Sequence, residues 1–200
     1  MIELMSDSRE RLLKRARRDG LETVGYRVID SPLGPLWIAV GPKGVLAIHY
    51  GAEPSHGELA RIVRTYGPGV LPDPRRADPV ARELDQYFAG RRKAFDVAVD
   101  LSPLTGFQQR ILGATARVAF GDVSTYAKVA AKAGSEKASR AAGQALGSNP
   151  IPIVVPCHRI LASDGSLGGY AGGLEAKRVL LQLERGFVPA GGWIKAKQNR

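Results

Sequence analysis

Ile151-Pro152-Ile153-Val154-Val155-Pro156-Cys157-His158-Arg159 places a thiol, an imidazole and a guanidinium in three successive positions, behind a β-branched apolar run broken by Pro152. Cys157 is the only cysteine among 200 residues. It can form no disulfide within the chain and cannot belong to a multi-cysteine metal site, and no metal is expected. Most free cysteines are small buried hydrophobes, and that reading stands beside a second one. A base at His158 and fixed charge at Arg159 both favour the thiolate, which is the reactive form. On that reading Cys157 is a nucleophile with a pKa lowered by its neighbours.

Downstream, Gly165, Gly168, Gly169, Gly172 and Gly173 surround Tyr170. No Gly-Lys-Ser/Thr follows, so this is not a phosphate loop. It suits a loop that wraps a flat ligand and presents one aromatic hydroxyl. A last helix is expected over Leu174–Arg185. Glu184 lies four residues after Leu180 and three after Leu181, on their apolar face. A carboxylate buried there needs a partner, and His158 is the candidate. A solvated helix end is the alternative.

Upstream, Phe107–Val118 reads as a helix with Phe107, Ile111 and Ala114 in register, broken by Phe120-Gly121-Asp122. Thr125 caps a helix over Tyr126–Ala133. Gly134-Ser135 turns the chain, and Ser135 caps a third helix, Glu136–Leu146. Helix, glycine turn, helix is the helix-turn-helix pattern, although two unrelated short helices mimic it. A major-groove reader carries several long polar side chains. Ala138-Ser139-Arg140-Ala141-Ala142-Gly143-Gln144-Ala145 carries mainly small ones around Arg140. That composition predicts close backbone approach with little base readout, or else simply good helix formers. Asn149-Pro150 ends the helix.

The first half reads as an antiparallel meander, with strands Val24–Ile29, Leu36–Val40 and Val45–Tyr50 separated by turns at 31–35 and 41–44. A helix over Gly57–Tyr66, a proline-rich loop Pro68–Pro79, a helix opened by Pro79 and running to Ala89, and a strand over Phe95–Val99 are expected next. His49 and His56 have no partner at metal-ligand spacing and read as structural. Arg9–Arg18 reads as an amphipathic helix, either a surface helix or a basic arm. A boundary near Leu101–Thr105 divides the chain into an extension (1–22), an α/β domain (23–101), a domain carrying the helix-turn-helix pattern and Cys157 (102–188) and a tail (189–200).

The hydrophobic fraction of 44% is that of a soluble globule. No run is long enough to span a membrane, and Met1–Gly20 mixes both signs of charge, unlike a secretory signal. A lone cysteine fits a reducing, intracellular setting. The net charge of +10 is unevenly spread: residues 1–100 hold 16 Lys and Arg against 14 Asp and Glu, residues 101–200 hold 13 against 5. The excess beside Cys157 points to a polyanion, nucleic acid first. A basic surface kept for solubility is the other reading.

These residues resemble the O6-alkylguanine-DNA alkyltransferases, also called methylated-DNA–protein-cysteine methyltransferases. Pro156-Cys157-His158-Arg159 matches that family's active-site motif. Arg140-Ala141-Ala142-Gly143, Asn149-Pro150, Phe120–Tyr126 and Gly169–Leu174 match its arginine-bearing helix, asparagine hinge, approach segment and binding loop. Ser31-Pro32-Leu33-Gly34 is similar to its first hairpin. The resemblance is strong over Phe107–Gly186 and weaker over Val24–Val99.

The resemblance implies a ribonuclease-H-like α/β N-terminal domain of antiparallel sheet with helices. It implies a mainly α C-terminal domain with a winged-helix-like helix-turn-helix. It further implies irreversible, single-turnover transfer of an alkyl group from O6-alkylguanine, and from O4-alkylthymine, in duplex DNA to Cys157 after base flipping. No cofactor is implied, and the setting is cytoplasmic, or nuclear in a eukaryote. By position, His158 links Cys157 through a water to Glu184, and Asn149 braces the turn before the active-site strand. Tyr126 crowds the phosphate beside the target and bonds a ring nitrogen, and Tyr170 donates to O6. The carbonyls of Cys157 and Ile160 accept from the guanine amino group, with Arg159, Ala171 and Gly172 completing the substrate set. Arg140 fills the vacated stack, and Ser124, Ala138, Ala141 and Gly143 accompany it on DNA. The small residues Ala171, Gly172 and Gly173 predict room for adducts larger than methyl, which Gly172→Trp would remove. Three other functions remain as alternatives. A DNA binder of the same fold without transfer would lack the cysteine. A transcription factor would need base-reading side chains. A thiol hydrolase would need an oxyanion loop.

Overall fold

The computed structural model describes residues 11, 14–16, 18–21 and 23–185. The helix expected over Arg9–Arg18 lies partly, and the tail after Val188 wholly, outside them. The chain forms two compact units, Met1–Glu83 with Val97–Pro103, and Leu84–Asp96 with Leu104–Arg200.

In the first unit, strands β1 (Val24–Ile29), β2 (Leu36–Gly41) and β3 (Gly44–Tyr50) form the expected antiparallel meander. Val24, Trp37, Ala39, Leu46 and Ala47 pack in one core with Ile62 of helix α1 (His56–Tyr66). Ser55 caps α1, its hydroxyl accepting from the Glu58 N–H at 3.2 Å. His49 Nδ1 lies 3.1 Å from Glu58 Oε2.

Three expectations need correction here. The stretch Pro68–Pro79 is not all loop: β4 (Val70–Pro72) pairs parallel to β1, giving the sheet order β3-β2-β1-β4. Helix α2 (Pro74–Phe88) starts at Pro74 and not at Pro79. A proline at the first helical position costs no donor bond. Pro79 forfeits only a bond in the opening turns, while Ala77, Val80 and Ala81 are buried on one face. Phe95–Val99 forms no strand. It meets the β3 edge at one residue, Val45, whose N–H donates to Ala98 O and whose carbonyl accepts from Asp100 N, both at 2.9 Å.

The second unit is mainly helical. A capping box opens α3 (Gly106–Ala116): Thr105 Oγ1 accepts from Gln108 N at 3.3 Å and Thr105 N donates to Gln108 Oε1 at 3.0 Å. β5 (Ser124–Thr125) pairs parallel to β6 (Ile160–Leu161). Thr125 then caps α4 (Tyr126–Lys132), as expected. The turn to α5 (Ser139–Gly147) needs a left-handed residue, which Gly134 supplies at φ 73°. α5 starts three residues later than expected. Ser135 lies three residues before the cap position, in a turn whose carbonyl accepts from Ala138 N (2.9 Å), and Ala138 takes the cap with no side-chain bond. α4 and α5 make the helix-turn-helix, and α6 (Gly173–Arg185) closes the unit.

Candidate active site

Glu184 organises the site. α6 buries Ala176, Lys177, Leu180, Leu181 and Glu184, the three-four spacing of one helix face. A carboxylate in that position is tolerable only when donors surround it. Glu184 Oε1 faces His158 Nε2 at 2.8 Å and accepts from Tyr87 Oη at 2.7 Å and Arg159 Nη2 at 2.9 Å. Its Oε2 accepts from Arg159 Nε at 2.9 Å and the Gly121 N–H at 3.2 Å. Arg159 also donates Nη1 to the Val118 carbonyl at 2.6 Å and lies 5.9 Å from the centroid of the Phe120 ring. Burial alone would push the Glu184 carboxyl up. The hydrogen bonds from His158, from the Arg159 guanidinium and from the Tyr87 hydroxyl outweigh it and hold the group at about 2.

An ionised Glu184 assigns the His158 tautomer: the proton sits on Nε2, facing the carboxylate. Burial drives the imidazole pKa down, against the pull of Glu184, so the ring is neutral. That leaves a lone pair on Nδ1, which is buried and has no hydrogen-bond partner among the described residues.

Cys157 does not lie on a strand. It opens a single 3₁₀ turn, Cys157–Arg159, whose three residues per turn send successive side chains about 120° apart. Arg159 is thereby delivered to Glu184 and not to the thiol, and it does not line the cavity. The thiol itself departs from expectation. Burial pushes its pKa up, with the Asn149 hydrogen bond and the Lys177 charge pulling the other way. The resting side chain is a thiol, and a thiolate must be made at the moment of reaction.

Asn149 holds the loop that presents it. Its Nδ2 donates to the Val155 carbonyl at 2.9 Å and to Cys157 Sγ at 3.1 Å, and its Oδ1 accepts from Ile151 N at 3.0 Å. Within that loop Ile153 has φ 73°, a left-handed conformation that is strained for a β-branched residue. The clamp and full burial of Ile151 and Ile153 hold it.

Sequence reasoning passed over Lys177. It is wholly buried, and its ammonium donates to the Ile160 carbonyl at 2.6 Å and to the Leu167 carbonyl. Burial lowers its pKa to about 8. The Leu180–Leu181–Glu184 stripe, followed back seven residues from Glu184, reaches Lys177, so the signal was present. Tyr87 and Gly121, both on Glu184, were also missed as site residues.

Beside Cys157 lies a cavity of about 660 Å³ lined by Tyr126, Arg140, Gly143, Tyr170 and Ala171, among others. Gly168 lets Tyr126 in: its φ is +63°, and a Cβ there would sit 2.7 Å from the Tyr126 hydroxyl. The Tyr170 ring stands edge-on to His158, centroids 6.4 Å apart. Several expected residues are not on this cavity. Ser124 is buried in β5 opposite Ile160, and the Ile160 carbonyl already accepts from Lys177. Ala138, Ala141 and Gly172 do not line it.

Comparison with known proteins bears on the same two regions. Residues 106–186 match the DNA binding domain of 6-O-methylguanine DNA methyltransferase, and residues 24–101 match its ribonuclease-like domain. A methylated-DNA–protein-cysteine methyltransferase of Mycobacterium bovis is 41% identical over 170 residues, covering 84% of this chain and 96% of that protein. One from Haemophilus influenzae is 49% identical over 161 residues, covering 80% and 86%. Among solved structures, the Mycobacterium tuberculosis O6-methylguanine methyltransferase superposes with a TM-score of 0.71 at 39% identity, covering 84% and 96%. A structure of the M. tuberculosis protein in complex with DNA superposes at 0.70 with 38% identity, covering 80% and 92%.

Proposed function

We propose that this chain, which belongs to the 6-O-methylguanine DNA methyltransferase family, uses Cys157 as the final acceptor of an alkyl group lifted from O6 of guanine in duplex DNA. It is a DNA-repair protein with methylated-DNA–protein-cysteine methyltransferase activity. The observation that carries the site assignment is the chain's single thiol, Cys157, followed directly by a buried, neutral His158 whose Nε2 faces ionised Glu184.

The chemistry then follows in balance. His158 Nδ1 takes the Cys157 proton, directly or through a water, and the resulting imidazolium is stabilised by Glu184. The Asn149 amide and the Lys177 ammonium favour the thiolate as it forms. Sulfur attacks the alkyl carbon, the carbon–O6 bond breaks, and its electrons pass to guanine. Tyr170 and Tyr126 on the cavity wall stabilise that charge as donors. The imidazolium proton then passes to the guanine anion, leaving neutral guanine, neutral His158 and a thioether at Cys157. A stacked base is out of reach of a buried thiol, so the target is flipped into the cavity. O4-alkylthymine presents the same reacting atoms and is a second substrate. Residues 102–188 do this work, joined by Leu84–Asp96, which belongs to the same unit and supplies Tyr87. No helix among the described residues is long and apolar enough to cross a membrane, and a DNA substrate places the protein where the chromosome is.

The reading is tested with duplex DNA carrying an isotopically labelled O6-methyl group. The label should be recovered as S-methylcysteine at Cys157. Release as a small molecule, or retention on DNA, would refute it.

Arg140 is exposed on α5 at the cavity rim, where it can occupy the gap left by a flipped base. Arg140→Ala should slow transfer from duplex by roughly 100-fold, matching the few kcal/mol of unstacking. Transfer from the free base O6-benzylguanine should stay within a few-fold. Equal losses on both substrates would make Arg140 a pocket residue instead.

The cavity wall also relocates the control of adduct size. Ala171 lines it and Gly172 does not. Ala171→Trp is therefore the change expected to reject benzyl while sparing methyl, read as the ratio of the two transfer rates. An unchanged ratio would show that the alkyl group lies elsewhere.

A further inference from the structure

One face of α3 carries Gly106, Gln109, Arg110, Gly113 and Ala114, and Arg117 follows in the next turn. With Lys132 and Ala133 at the end of α4, these residues line a second concavity of about 540 Å³. It shares no residue with the cavity beside Cys157. The two open at different parts of the helix-turn-helix: Tyr126, at the start of α4, borders the first, and Lys132, at its end, borders the second.

Three cations line this groove, all exposed, and no carboxylate does among the described residues. Arg110 lies back over Gly106, its Nη1 3.7 Å from where a Cβ on that glycine would sit. Nothing lies within 4 Å of a Cβ built on Gly113, so the floor between the two arginines is open. Arg110 and Arg117 are seven residues apart, about 10 Å along a helix, which spans the axial rise of about three nucleotides of one strand. The rest of the lining is glycine and alanine with one glutamine. It offers none of the aromatic anchors on which protein partners depend.

We propose that this groove is a second phosphodiester-binding site, which holds the DNA backbone outside the footprint of the target base. The site rests on the DNA-repair reading and extends it. Steering and retention on long DNA would come from Arg110, Arg117 and Lys132, and base capture from α5.

The test is the salt dependence of binding for the full chain, on a duplex of one helical turn and on one of four turns. Each phosphate contact contributes about 0.9 to the slope of log affinity against log salt. Arg110→Ala/Arg117→Ala should lower the slope on the long duplex by about 1.8, a change of roughly tenfold in relative affinity between 50 and 200 mM salt. The slope on the short duplex and the rate of transfer from free O6-benzylguanine should not change. Arg110→Lys/Arg117→Lys should keep the long-duplex slope. An unchanged slope for the alanine pair overturns the proposal. So does an equal loss on both duplexes, which would put the groove inside the target footprint. A lysine pair that loses as much as the alanine pair also overturns it, by showing damage to α3. If the unsubstituted chain binds neither duplex, the DNA-repair reading fails, and that outcome is distinct from loss of the groove alone.

Discussion

Cys157→Ala should abolish alkyl transfer completely while leaving affinity for duplex DNA within a few-fold of the original. The chain holds one thiol, and the acceptor and the nucleophile are the same atom. The product is a thioether, which ordinary thiol exchange cannot reverse because that chemistry needs a disulfide sulfur to attack. One protein should therefore gain one alkyl group and then stop. Intact-mass measurement after excess O6-methylguanine duplex should show a single methyl adduct and a yield capped at one equivalent. The substitution should not disturb the fold enough to mimic this result. Deleting one buried sulfur costs on the order of 1 kcal/mol. Asn149 Nδ2 is not orphaned, since it still donates to the Val155 carbonyl at 2.9 Å. Repeated turnover, or an adduct on the alanine variant, would remove Cys157 from its role.

Much of this was visible in the sequence, and the exceptions have physical reasons. Alternating apolar residues bounded by Gly and Pro made β1 to β3 legible, and Thr125 and Gly134 marked the ends of α4. Glu184 stood out because a carboxylate on an apolar helix stripe needs a buried partner. The neighbour effect at Cys157 was misread because adjacency in sequence is not adjacency in space. A 3₁₀ turn separates the side chains of Cys157 and Arg159, and burial then dominates the thiol pKa. Tyr87 lies 97 residues from Glu184 in sequence, and no local pattern links them. β4 was hidden because Pro68, Pro72 and Pro74 crowd a three-residue strand, and a parallel partner leaves no hairpin signal. Lys177 was overlooked because a lysine on an apolar stripe is usually taken to reach solvent. Here two carbonyls satisfy it inside.

Glu184→Gln should lower transfer by about 1000-fold or more and destabilise the chain by about 3–5 kcal/mol, the cost of leaving a buried partner charge unpaired. Glutamine keeps the shape but not the charge. Arg159, 5% exposed, would then sit in the interior without a counter-ion. The amide would also be free to offer its NH₂ to His158 Nε2. That would move the ring proton to Nδ1 and remove the base from the thiol; a wrong tautomer in a comparable dyad costs about four orders of magnitude. The pH dependence carries its own sign. Glu184 titrates at about 2 in the fold against an ordinary 4.5. The unfolded chain therefore binds more protons between those values. The stabilisation, about 3 kcal/mol, is fully present above pH 4.5 and is lost as pH falls towards 2. Urea unfolding from pH 6 down to pH 3 should show that acid loss in the original chain and a smaller one in the variant. Glu184→Gln/Arg159→Met, which removes both charges, should recover much of the stability but none of the transfer. That combination separates the burial of charge from the chemistry. If transfer returned with stability, Glu184 would be only a structural anchor, and His158 would not depend on it as a base.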